Sequence, residues 1–153
     1  MKVNSVRIVK DLDTLHKISK SVNMSDTNLI NSLEMELLNT YKKLDGKLQG
    51  LSAIQIDKPY RAILLRYKKG ETPLVVFNPK VLCKVLSVKS DEGCMSEPGF
   101  RYTVRRPLFA LVEYYLNTGE YVKEWLPYSK ARIFCHEVDH CDGILLQDKG
   151  KVV

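Results

Sequence analysis

The sequence predicts an α+β fold in which strand-rich antiparallel or mixed sheets pack around a central helix near the C-terminus, and three observations carry that expectation. Apolar residues recur at spacings of three and four between Ser25 and Leu44. Short β-branched and aromatic stretches alternate with turn residues between Tyr60 and Leu126. A second helical pattern, from Ser129 to about Cys141, carries apolar residues on one face and histidines and carboxylates on another. At 153 residues and 44% apolar content, the chain is long enough for one domain with a sizeable core and too short for two ordinary ones. Residues 1–153 are therefore expected to form a single domain.

Taken in order, the N-terminal stretch MKVNSVRIVKDLD has charges where a signal peptide needs an apolar run, and nowhere do eighteen apolar residues follow one another. The expected setting is the cytoplasm, with no membrane partner. Four cysteines (Cys83, Cys94, Cys135 and Cys141) need no disulfides in a reducing compartment. Leu29, Ile30, Leu33, Leu37, Leu38, Tyr41 and Leu44 give the first helix its apolar face, and Gly46 stops it. YRAILLRY, PLVVFNP, VLCKVLSV, LFALVEYYL and YVKEWL read as strands, the last two joined by an NTGE hairpin, with Cys83 as a small core residue. Ser129 is placed to cap the last helix and Gly143 to end it. Ala131, Phe134, Val138 and Cys141 share one face of that helix, while Ile133, His136, Glu137 and His140 share another, so little of it is free to face water.

The sequence HEVDH, from His136 to His140, puts two imidazoles one turn apart on one helix face with a carboxylate beside them. Composition alone would produce two His and a Glu at these offsets in roughly one protein of this length in a few hundred. In a buried helix each of these groups, and Asp139 with them, needs a partner, and a divalent cation satisfies several at once. A hydrolytic site of this kind uses three protein ligands and leaves a position for water. The tail CDGILLQDKGKVV offers no further His or Glu, so the third ligand lies elsewhere. Cys135 and Cys141 are each offset by about 100° from the neighbouring histidine. Cys94, in the Gly-flanked and Pro-closed loop DEGCMSEPG, is the best candidate.

These residues resemble the peptide deformylase family, whose motifs GxGLAxxQ, EGCLS and HExDH have counterparts here in LQGLSAIQ (Leu48 to Gln55), EGCMS (Glu92 to Ser96) and HEVDH, in the same order. The likeness extends to RIVKDLDTLHKISKSV, FNPKV and HCDGILLQD. Many bacterial members continue into a C-terminal helix that contacts the ribosome, whereas this sequence ends at Val153, as short members from bacteriophages do. The resemblance implies removal of the formyl group from the formyl-methionine of nascent polypeptides, with release of formate. It implies Cys94, His136 and His140 as ligands of one divalent metal ion, Fe2+ as the expected native ion and Zn2+ or Ni2+ as alternatives. Glu137 would move the proton, and the Gln55 amide and the Met95 backbone N–H would stabilise the charge that grows on the formyl oxygen. Gly50 and Gly93 would let the substrate pair with their backbones as an added strand. Gln49, Ser129, Arg132 and Ile133 would surround the first substrate side chain.

Leu48, Ser52, Met95 and Glu97 depart from the family's usual residues, and none of these changes removes a group that does chemistry. The first side-chain pocket is more polar than methionine requires, so Arg132 is expected to extend to the rim on its aliphatic stem. Asp139 is expected to pair with Arg106 rather than to touch the ion. The net charge of +6 and pI near 9.1 come from scattered residues, so no dedicated nucleic-acid surface is expected, although a transient association with the ribosome is. Two alternatives stay open: a zinc peptidase, which lacks a downstream third ligand, and a non-catalytic module in which Cys94, Cys135 or Cys141 joins both histidines around a structural zinc.

Overall fold

The computed structural model describes residues 7–153, so the charge pattern read in MKVNSV lies outside them. The elements follow in the order α1 (Leu12–Leu15), α2 (Thr27–Lys43), β1 (Gly50–Ser52), a 3-10 turn (Ala53–Ile56), β2 (Ala62–Leu65), β3 (Leu74–Val85), β4 (Val88–Gly93), β5 (Arg101–Arg106), β6 (Phe109–Tyr115), β7 (Tyr121–Pro127), α3 (Tyr128–Cys141), α4 (Leu146–Lys149) and β8 (Lys151–Val152). One sheet has the order β1-β2-β3-β6-β7 and the other β4-β5-β8, with every pairing antiparallel. The α+β expectation holds, with α3 as the central helix.

Strand β2 is buried on both faces, which explains why AILL is a continuous apolar run rather than an alternating one. Ile63 and Leu65 face α3, packing in one core with Phe134, Cys135, Val138 and Cys141. Ala62 and Leu64 face the opposite way and pack with Ile30, Leu33 and Leu37 of α2. That second helix starts at Thr27 because the Asp26 carboxylate accepts from the Leu29 N–H at 3.1 Å.

Three expectations are corrected by the structure, and one strand was not read from the sequence. PLVVFNP and the first part of VLCKVLSV are one long strand, β3, that continues past Asn78-Pro79 through shifts in its pairing with β6. Asn78 adopts φ 51°, and its side-chain amide takes over the lost ladder, accepting from Val22 N–H at 2.7 Å and donating to Val22 O at 2.8 Å. Cys83 is not a core residue: it is exposed on the outer part of β3. Ser129 does not cap α3; the helix begins one residue earlier, where β7 runs directly into it through Tyr128 at φ 51°, with Tyr128 N–H bonded to Leu108 O at 2.6 Å. Finally, RYTVRR, which its arginines disguised, forms β5.

Gly143 ends α3 at φ 73°, and a Cβ there would overlap the backbone of His16. The segment before α2 thus straps the last turn of α3, with Ser19 N–H bonded to Cys141 O at 2.8 Å and Val9 N–H to Gln55 O at 2.7 Å.

Candidate active site

Three segments from separate parts of the chain converge on the inner face of α3: β1 with the 3-10 turn, the end of β4 with its following loop, and α3 itself. Cys94 Sγ and one ring nitrogen from each of His136 and His140 lie within 4.8 Å of one another, and Cys94 Sγ is 3.3 Å from His140 Nε2. A tetrahedral ion with bonds of about 2.1–2.3 Å needs ligand atoms roughly 3.5 Å apart, and one thiolate with two imidazoles suits Fe2+, Zn2+ or Ni2+. The residues present therefore fit such an ion.

What sets the donors is a buried ionic cluster on the small sheet. Glu92 and Arg106 are inward-facing on β4 and β5, with side chains 1% and 2% exposed, too enclosed to be hydrated as free ions. Arg106 donates through Nε and Nη2 to Glu92 and through Nη1 to Asp139 at 2.6 Å, and Lys149 adds a second cation to Asp139 at 3.0 Å. Glu92 Oε1 accepts from His136 Nδ1 at 2.8 Å, which turns His136 Nε2 toward the triad. Burial pushes the Glu92 carboxyl up, but hydrogen bonds from His136 and Arg106 overcome it and hold the group down at about 2. Burial also works to depress His136, yet its bonds to Cys94 and Glu92 raise it to about 10. His140 goes the other way, driven down by burial and by the charge on His136. Its Nδ1 is buried without a hydrogen-bond partner among the described residues, so packing and the contact of Nε2 with Cys94 Sγ set that ring.

Glu137 is 4% exposed, and burial raises its carboxyl to about 7. Its Oε1 is buried and lacks a hydrogen-bond partner among the described residues. Gly50 makes room for this side chain, since a Cβ at that position would overlap the Glu137 carboxylate, with Glu137 Cγ and Cδ at 2.8 Å. The glycine is thus required by the chain itself. At Gly93 an added Cβ would meet only ordinary contacts, Arg101 Nη1 at 3.4 Å and Phe100 O at 3.5 Å.

Gln55 is 2% exposed, and its orientation is fixed from both ends. Its Oε1 accepts from Ser52 N–H at 3.0 Å, and its Nε2 donates to Ser96 Oγ at 3.1 Å and to Cys94 Sγ at 3.3 Å. One amide N–H is thus held by Ser96 and the other faces Cys94 of the triad. Met95 follows Cys94 in a turn closed by Glu97 N–H on Cys94 O at 3.0 Å. Gln55, Glu92, Cys94, His136 and Glu137 border an open cleft of about 1670 Å³ that is also lined by Gln49, Gly50, Gly93, Met95, Arg132 and Ile133. Ser129 is not among the lining residues; it is exposed.

Sequence reasoning missed Ser96 and assigned no role to Glu92, although the alternation of β4 and β5 placed Glu92 and Arg106 inward where two charges must find each other. It placed Asp139 with Arg106 correctly. Cys135 and Cys141 are core thiols away from the triad, pushed by burial to about 11 and about 12.

A sulfur and two imidazoles beside a buried, unpartnered carboxylate in an open cleft form the arrangement of a mononuclear metallohydrolase. The family model for polypeptide deformylase matches residues 5–152. Peptide deformylase 2 of Shewanella oneidensis is 33% identical over 118 residues, which span 71% of this chain and 65% of that protein. The peptide deformylase of Finegoldia magna is 31% identical over 150 residues, 97% of this chain and 90% of that one. The Met-Ala-Ser-bound crystal structure of a class I type b peptide deformylase from Acinetobacter baumannii superposes with a TM-score of 0.84 at 28% identity, covering 97% of this chain and 99% of that one. The chain belongs to the polypeptide deformylase family.

Proposed function

We propose that residues 1–153 act as one catalytic domain that removes the formyl group from the N-terminal formyl-methionine of nascent polypeptides in the cytoplasm, releasing formate. The observation that carries this reading is the buried Glu137 carboxylate with an unpartnered oxygen beside the Cys94, His136 and His140 donors. Those three residues would hold one divalent cation, Fe2+ as the native ion, with Zn2+ or Ni2+ able to occupy the same donors. When bound, the cation supplies Lewis acidity and makes water a nucleophile near neutral pH.

The chain's own groups do the rest. A peptide lying in the cleft pairs with the backbones of Gly50 and Gly93, and Gln49, Arg132 and Ile133 surround its first side chain. Glu137 takes the proton of the attacking water as the new C–O bond forms at the formyl carbon. It passes that proton to the amine nitrogen as the C–N bond breaks, so formate and a free N-terminus leave. Burial, by lifting Glu137 to about 7, makes it able both to take and to give a proton near neutrality. The Gln55 amide, preset by Ser52 and Ser96, and the Met95 N–H donate to the formyl oxygen as negative charge grows there. A transient association with the ribosome would bring nascent chains to the cleft. A structural-zinc module needs no unpartnered carboxylate at that position, which speaks against it.

The test is an assay of formate released from formyl-Met-Ala-Ser by protein loaded with iron or nickel. Stoichiometric metal with no formate from either preparation overturns the reading.

A further inference from the structure

Arg132 lines the cleft, and the chemistry above gives its guanidinium no role. It lies on α3 one turn before His136, and its Nη2 reaches across to Gln49 Oε1 at 3.2 Å, next to Gly50 at the start of β1. The contact joins two walls of the cleft near the donor triad. Its partner is an amide, which accepts a hydrogen bond and neutralises nothing.

Three of the carboxylates that line the cleft are already engaged. Glu92 serves Arg106 and His136, Glu97 accepts from Tyr102 Oη at 2.6 Å, and Asp91 accepts from Thr103 Oγ1 at 2.6 Å. Among the described residues none of them pairs with Arg132, and its only named polar contact is the Gln49 amide oxygen. A guanidinium carries five N–H donors in a fork matched to carboxylate, so one bond to an amide leaves most of its donors unused by Gln49. Arg132 and the donors Cys94 and His136 line the same cleft.

We propose that Arg132, steered across the cleft by Gln49, selects formyl peptides that carry a carboxylate side chain at the second or third residue. The inference rests on the deformylase reading and adds a substrate class to it. Because the fork is half-exposed, its effect is modest and falls with salt. An Asp-for-Lys exchange converts repulsion into attraction and should change kcat/KM by roughly fivefold.

The experiment compares formyl-Met-Asp-Ala and formyl-Met-Lys-Ala, both amidated at the C-terminus so that the side chain is the sole difference in charge. Turnover is measured with the wild type, Arg132→Leu and Arg132→Lys at low and high salt. Binding of the deformylated products Met-Asp-Ala and Met-Lys-Ala is followed by calorimetry as a readout independent of turnover. The expected result is a preference for Asp in both measurements that Arg132→Lys largely keeps, Arg132→Leu loses and salt shrinks. A wild-type ratio near one, or a ratio that survives Arg132→Leu, overturns the proposal. Turnover of both peptides without preference sinks this inference alone. Absence of formate from these peptides and from formyl-Met-Ala-Ser sinks the deformylase reading, and the product-binding ratio still decides the role of Arg132.

Discussion

The two sheets hold α3 by opposite means. The five-stranded sheet meets it with Ile63, Leu65, Val76, Val112 and Leu126, packed on Phe134, Val138 and Cys141. The three-stranded sheet meets it with ions: Arg106 and Glu92 clasp Asp139 and His136. Apolar contact is non-directional and stabilises in proportion to the area it removes from water. A buried ion pair adds little net stability, but it fixes direction, because each N–H must meet its oxygen. The comparison teaches a division of labour: one wall keeps the helix in place, and the other aims its imidazole.

The largest effect should come from Glu137, whose Oε1 has no hydrogen-bond partner among the described residues. Glu137→Gln keeps the shape and all three donors but cannot carry the proton, so turnover of formyl-Met-Ala-Ser should fall by about 10²–10⁴-fold with metal content unchanged. Loss of the metal in that variant would make Glu137 a ligand. On the apolar wall, Phe134 is fully buried, and Phe134→Ala should cost about 3–5 kcal/mol in denaturant unfolding while metal stoichiometry in the folded protein stays near that of the wild type. On the ionic wall, Asp139→Asn should do the reverse. It should weaken metal affinity by roughly 10–100-fold, measured by competition with a chelator, at a smaller cost in stability than Phe134→Ala. If Asp139→Asn leaves metal affinity unchanged while Phe134→Ala lowers it, the division of labour is wrong.

The same contrast explains what the sequence made legible. Apolar periodicity announced α2 and α3, and their caps or stops at Gly46 and Gly143 followed from local rules. The triad and its carboxylate were legible because helix geometry alone puts His136, Glu137 and His140 together, and one Gly-flanked cysteine remained to join them. The ionic wall was harder to read. The pairing of Arg106 with Asp139 was expected, but VKSDEG offers no apolar alternation, so Glu92 looks like a solvated position until the fold brings it against Arg106. Cys83 failed for the converse reason. A bulged strand shifts the inward and outward positions, and no period-two count survives the pairing shifts between Phe77 and Cys83.

The contact between Gly50 and Glu137 has a consequence for how such sequences change over generations. The glycine has an ordinary backbone angle, so nothing local forbids alanine there; only the carboxylate across the cleft does. Loss of the glycine is therefore obstructed for as long as the acid remains. Loss of the acid, by contrast, leaves the glycine unguarded. A lineage that abandons hydrolysis should shed the acid first and fill the vacant Cβ position afterwards, so descendants with a side chain at 50 and an intact Glu137 should be rarer than those with the opposite combination.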